Sequence, residues 1–329
     1  MITAKPVWLY PGSDPVVFEM PFWCNIQSDE SAKEIWIELM QGSYPPGTIL
    51  PDPDWKILEQ ADSVVVFDWM HAESELRQFD IDWVRKISQF RPTKWITVNP
   101  KLIDGIECVH FDYYWNNSKR AHVEKQTFHR FWGGQHCVNY QQYPINLGTR
   151  SHQFLNYHLR SELYRDRLQD FLKNNFQGYH STSGNPYLAP NNMTKYQMSR
   201  GSCAPPGRLY FDNTYITCLI ESRHLGNNSI VISEKTYDHL IQGRAVLNFS
   251  TRDFYKHLQQ NNWLLPKNVD FSWDSIDNDE HRFDAYLDSI NQLLSLSRLD
   301  MHHWFLDNVP CWQHNYNQLY DKPYYTLFL

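Results

Sequence analysis

The chain of 329 residues has no C-x-x-C pair among its six cysteines, Cys24, Cys108, Cys137, Cys203, Cys218 and Cys311, so neither a zinc ribbon nor a disulfide scaffold is signalled. No run approaches the roughly 18 apolar residues of a membrane span. The opening MITAKPVWLY lacks a charged stretch followed by a long apolar core. The expectation is a soluble, cytoplasmic protein. A G-x-G-x-x-G fingerprint is missing as well, which excludes the usual nicotinamide-binding turn. Positive charge is in deficit: 30 Lys and Arg against 37 Asp and Glu give a net charge of −7, the wrong sign for coating nucleic acid. No internal repeat is visible.

What is present is apolar and aromatic. Hydrophobic residues make up 42% and aromatic residues 16%, including 13 Trp and 20 Tyr, enough to fill cores and still line a groove with amphipathic rings. The length predicts two α/β lobes, residues 1–148 and 149–329.

In the first lobe, Pro6 to Tyr10 reads as a strand running into Pro11-Gly12-Ser13-Asp14, a turn whose glycine lets a ligand approach the backbone. The run EIWIEL within residues 28–41 fits strand or helix equally. SVVVF at Ser63–Phe67 is a buried strand, and Asp68 and His71 follow its carboxyl end, where active sites of open α/β sheets gather. A helix over 81–90 and strands over 94–98 and 107–111 complete the alternation, before an irregular stretch up to Thr149.

The second lobe opens with a strand over 152–157 and a helix from Ser161 that places Tyr164, Leu168, Phe171 and Leu172 on one face. Asn156, Arg160, Arg165 and Arg167 cluster around that helix start, where arginines can fork onto a diphosphate. Acids at helical spacing, Glu162, Asp166 and Asp170, fit an ordinary solvated face equally well. Residues 182–210 form a loop, and the strand Tyr215–Ile220 ends in Glu221.

The densest signal is Ser229–Phe249, SIVISEKTYDHLIQGRAVLNF. It reads as strand Ile230–Ile232, N-cap Ser233, a helix through Tyr237, Leu240 and Ile241, a stop at Gly243 and a strand from Arg244 to Phe249. Glu234 and Lys235 in the first helical turn suit sugar hydroxyls and a phosphate respectively, and fit plain helix capping too. Helices over 251–261 and 279–296 follow, then a tail with the run YDKPYY.

Glu221 together with Ile232-Ser233-Glu234-Lys235 resembles the donor-binding region of GT-B glycosyltransferases, in particular the α-1,3-fucosyltransferase-like pattern of a glutamate followed by I-T/S-E-K. Residues 154–181 look like the opening of the second lobe in many viral and bacterial glycosyltransferases. The resemblance implies two Rossmann-like lobes with an interlobe cleft and a nucleotide sugar held by the second lobe. Arg160 and Lys235 would take its phosphates, Glu221 and Glu234 its sugar or ribose. Arg244 stands where the pattern has a small or apolar residue, which points away from a fucose donor.

The expected activity is transfer of a hexosyl or pentosyl group from a nucleoside diphosphate sugar to an acceptor hydroxyl, without a metal or other cofactor. The acceptor would be a glycan, with a hydroxymethylated DNA base as an alternative. The base would come from Asp68 or His71, with Asp14 in reserve. A non-catalytic carbohydrate-binding protein is the rival from another class. The D-x-D triplets at 52–54, 80–82 and 277–279 follow no apolar strand and read as loops or helix caps.

Overall fold

A computed structural model describes residues 2–7, 26–28, 31–39, 58–68, 78–97, 105–110, 145–156, 162–180, 208–221, 230, 232–240 and 243–321. Contacts divide the chain into two compact units, Met1–Tyr113 with Tyr324–Leu329, and Tyr114–Pro323. The division lies ahead of the residue-148 boundary expected from the sequence; residues 114–144 are outside the described set.

The first unit carries a six-stranded, wholly parallel sheet in the order β2-β1-β3-β4-β5-β6. Its strands are β1 (Ile2–Val7), β2 (Ile26–Ser28), β3 (Glu34–Leu39), β4 (Ser63–Asp68), β5 (Thr93–Thr97) and β6 (Glu107–His110). The first strand begins four residues earlier than its sequence suggested, and EIWIEL resolves as strand β3. Pro6 is tolerated because β1 pairs with β2 only through Ile2–Ala4 and with β3 through Lys5–Val7, so the residue without an N–H has a neighbour on one side alone. Val64, Val65 and Val66 are all buried, as befits a central parallel strand covered on both faces. Helix α1 (Gln78–Ser88) buries Val84 and Ile87.

The second unit repeats the winding on four parallel strands in the order β10-β9-β7-β8. These are β7 (His152–Asn156), β8 (Gly178–His180), β9 (Thr214–Ile220) and β10 (Ala245–Phe249). Around them run α2 (Leu163–Asn175), α3 (Arg208–Asn213), α4 (Glu234–Leu240), α5 (Phe254–Gln260), a 3-10 turn at Ser272–Ser275, α6 (Asp279–Leu294), α7 (Arg298–Asp307) and α8 (Val309–Asp321). Both units therefore have a Rossmann-like, doubly wound layout. No described helix is long and apolar enough to cross a membrane.

Two sequence expectations fail here. Ile230 and Ile232 are not strand; the strand ahead of α4 is β9, and Ile232 and Tyr237, both buried, occupy the N′ and N4 positions of a hydrophobic staple on either side of Ser233. The supposed tail holds α7 and α8. Ser297 caps the former by accepting the Asp300 N–H at 3.1 Å, and Trp312 of the latter packs on Trp304 and Phe305, with centroids 5.8 Å apart in each case.

Register divides the second sheet into two faces. Phe154, Asn156, Ile216, Cys218, Ile220, Leu247 and Phe249 share one, and α2 and α6 cover it through Tyr164, Phe283 and Tyr286 around Phe249. Leu155, Tyr215, Thr217 and Asn248 share the other, met by Phe211 of α3, His239 of α4 and Phe305 of α7. His239 is buried with its ring 3.1 Å from the Thr217 hydroxyl, and burial drives its pKa well below the usual histidine value, so it sits in the core as neutral imidazole. Trp95, Trp263, Trp273 and Trp312 are fully buried, so much of the aromatic content goes into the core.

Gly243 ends α4 with φ of 66°, and its N–H reaches back to the Leu240 carbonyl at 3.2 Å. A Cβ there would meet Ile145 at 2.6 Å in a left-handed backbone. Gly243→Ala should therefore destabilise the protein by about 2 kcal/mol or more in denaturant titration; a loss below about 0.5 kcal/mol would contradict this account.

Asp274 provides a pH test. Its carboxylate accepts the N–H groups of Phe254 (3.2 Å) and Tyr255 (2.8 Å), capping α5 from the 3-10 turn at Ser272–Ser275, while burial raises its pKa to about 6. The raised value means the folded state keeps a proton between roughly pH 4 and 6 that the unfolded chain has released, so this group's contribution to stability falls as pH rises through that window. The stability of wild type relative to Asp274→Asn should decline across it by on the order of 2–3 kcal/mol, and a pH-independent difference would refute the assignment.

Candidate functional site

In a doubly wound sheet the crevice for ligands opens where neighbouring strands send their connections to opposite faces. In the second unit that point lies between β7 and β9. The chain leaving β7 enters α2 on one face, and the chain leaving β9 enters α4 on the other. Asn156 is the last residue of β7, and Glu221 immediately follows β9.

Glu221 is almost fully buried. One oxygen of its carboxylate accepts the Ser233 N–H at 3.0 Å and the Thr236 hydroxyl at 2.6 Å, and the other accepts the Ser233 hydroxyl at 2.5 Å. Asn248, the polar residue of β10, donates its Nδ2 to the Thr236 hydroxyl at 2.6 Å. The network thus runs from β10 through α4 to β9. Glu221 and Ser233 come together as the spacing suggested, but the carboxylate reaches the helix start rather than standing apart from it.

Arg165 approaches from the first turn of α2. It is buried, its Nη2 donates to the Glu221 carbonyl at 3.3 Å, and its Nε lies 3.4 Å from a Glu162 oxygen without hydrogen-bond geometry. Asn156, wholly buried, donates its Nδ2 to the Cys218 carbonyl at 2.9 Å, while its Oδ1 has no hydrogen-bond partner. The cluster therefore offers an unpaired carbonyl acceptor and a guanidinium at one strand end.

The other expected residues are placed as follows. Glu234 and Lys235 are the first two residues of α4, described for their backbone. Arg160, His71 and Asp14 lie outside the described residues. Asp68 ends β4 in register with Leu39 and Thr97. Arg167 is drawn to α6, where it pairs with Glu280 (2.6 Å) and Asp284 (3.0 Å). Asp277 pairs with Arg252, Asn278 caps α6 through the His281 N–H and Asp279 pairs with Arg282, so this D-x-D triplet is a helix cap as expected. Among the described residues no group of three or more His, Cys, Asp or Glu could hold a metal ion.

Thr236 and Asn248 escaped the sequence reading. The signal for the second was a lone amide in the apolar strand AVLNF. Arg244, by contrast, is explained away from the carboxyl edge: it precedes β10, is fully buried, and donates to the Thr214 hydroxyl at 2.6 Å and to the Phe211 carbonyl at 3.4 Å. A cavity of about 300 Å³ opens elsewhere, lined by Ser289, Leu293, Asp300 and Trp304 among others, and contains none of these residues.

Comparison with family models, with curated proteins and with solved structures returns no match to this chain.

The network makes a direct test possible. Thr236→Val keeps the shape but strips the hydroxyl that joins Asn248 to Glu221, and should cost about 1–3 kcal/mol of stability. Thr236→Ser should recover most of it; equal stability of all three proteins would show that the bridge is idle.

Proposed function

We propose that the protein is a metal-independent glycosyltransferase of GT-B type, moving a sugar from a nucleoside diphosphate sugar to an acceptor hydroxyl. The observation that carries the reading is the switch point between β7 and β9, where Asn156, Arg165 and Glu221 gather at the carboxyl edge of a doubly wound sheet. In this reading Arg165, with Arg160 and Lys235, holds the diphosphate and stabilises it as the leaving group. Glu234 takes hydroxyls of the ribose or sugar. Glu221 serves the site by fixing the start of α4, which sets where Ser233, Glu234 and Lys235 stand.

The candidates for the base that removes the acceptor's proton are Asp68 and His71, with Asp14 as the third. The test is calorimetry with a panel of nucleoside diphosphates, followed by turnover of the matching sugar nucleotide in EDTA. Donor hydrolysis or transfer should persist, and Asp68→Asn or His71→Ala should lower kcat roughly 10²-fold with donor affinity intact. Absence of binding to every nucleotide in the panel would remove the proposal.

A further inference from the structure

We infer that Asn156 is a specificity-determining residue whose Oδ1 accepts a hydrogen bond from a hydroxyl or N–H of the ligand's non-phosphate part. The inference rests on the nucleotide-sugar reading above and deepens it. Asn156 is fully buried at the end of β7, at the switch point itself. Its orientation is locked: Nδ2 donates to the Cys218 carbonyl at 2.9 Å, and turning the amide over would set two carbonyl oxygens against each other. Oδ1 is thereby fixed as an acceptor with no partner, a state buried polar groups rarely occupy without a reason.

The partner that suits it is a donor. A diphosphate at neutral pH offers only lone pairs and is repelled by a carbonyl oxygen, whereas a ribose or sugar hydroxyl, or a base N–H, fits. The charge of the phosphates belongs instead to Arg165, which reaches the Glu221 carbonyl, three residues beyond Cys218 and just past the end of β9. At about 3.3 Å per residue the two carbonyls that anchor these side chains stand on the order of 10 Å apart along the chain, so the two groups are tied to different points of the strand end. One end of the crevice reads charge and the other reads a donor.

The experiment measures calorimetric affinity for pyrophosphate, for the tightest-binding nucleoside diphosphate and for its sugar conjugate. Wild type and Asn156→Leu are compared on all three. Pyrophosphate carries no such donor, so the substitution should leave its affinity unchanged while lowering the preference for the larger ligands about tenfold or more. A loss already present with the nucleoside diphosphate assigns the donor to the nucleoside; one confined to the conjugate assigns it to the transferred sugar. Asn156→Asp, which keeps an oxygen acceptor but gives up the bond to Cys218, guards against a folding defect: it should weaken all three ligands by charge while keeping the preference. Unchanged preference in Asn156→Leu, or loss of preference in Asn156→Asp, would overturn the role of Oδ1 and leave the nucleotide-sugar reading standing. Failure of wild type to bind any nucleotide would sink both.

Discussion

The buried carboxylate of Glu221 decides the geometry of the carboxyl edge of the second sheet. A carboxylate taken out of water is tolerated only when its oxygens are matched by donors, and here Ser233 and Thr236 match them with two hydroxyls and one backbone N–H. The seven-residue α4 is too short to hold itself together in isolation, so its position relative to β9 follows from these bonds and from Tyr237 and Leu240 in the core. The order of donation is forced. Thr236 gives its proton to Glu221 and must accept from Asn248, which ties the helix to β10 as well. A further consequence concerns anions: the positive end of α4 already faces a carboxylate, so recognition of a phosphate nearby depends on side-chain cations such as Arg165 rather than on the helix dipole.

The opposite edge is held by the reverse arrangement, two buried cations on carbonyl groups. Arg150 and Arg244 both donate to the carbonyls of Phe211 and Thr214, at and just beyond the end of α3, where the helix presents its negative pole. Arg150 also lies over the Phe305 ring at 4.3 Å, and Arg244 over Phe211 at 5.1 Å. Burial pulls the pKa of Arg150 down to about 10 and lowers that of Arg244 strongly, and the charge of Arg150 lowers Arg244 further. Such a pair is costly to assemble, and its carbonyl partners fix α3, β9 and the start of β10 against one another.

Much of this is legible in the sequence. Val64–Val66, Ile216–Ile220 and Ala245–Phe249 are runs that fit buried parallel strands, and the Gly243 stop is plain because glycine takes a left-handed backbone angle most readily. Ile230–Ile232 misled because an apolar triplet before a serine cap serves a staple as readily as a strand, and periodicity over three residues cannot separate them. Helices α7 and α8 were overlooked although Ser297-x-x-Asp300 is a capping pattern and Pro310 suits a first turn. The Glu221 network could be located but not read, since a glutamate at a strand end looks the same whether it faces a ligand or a helix. The α/β alternation of both units was legible and the resemblance implied their Rossmann-like layout, but the strand order itself was not, because it depends on which faces the connecting helices cover.

That shared winding bears on the acceptor side of the proposed reaction. In the first unit the strand order turns about β1 and β3, as it turns about β7 and β9 in the second. Asp14 falls in the chain between β1 and β2, on the connection that leaves a switch-point strand, whereas Asp68 ends β4, one strand beyond β3. Strand composition favoured Asp68 because SVVVF is the clearest apolar run of the unit. In open parallel sheets it is the switch point, rather than the most apolar strand, that leaves room for a substrate, which keeps Asp14 beside Asp68 and His71 as a candidate for the proposed base.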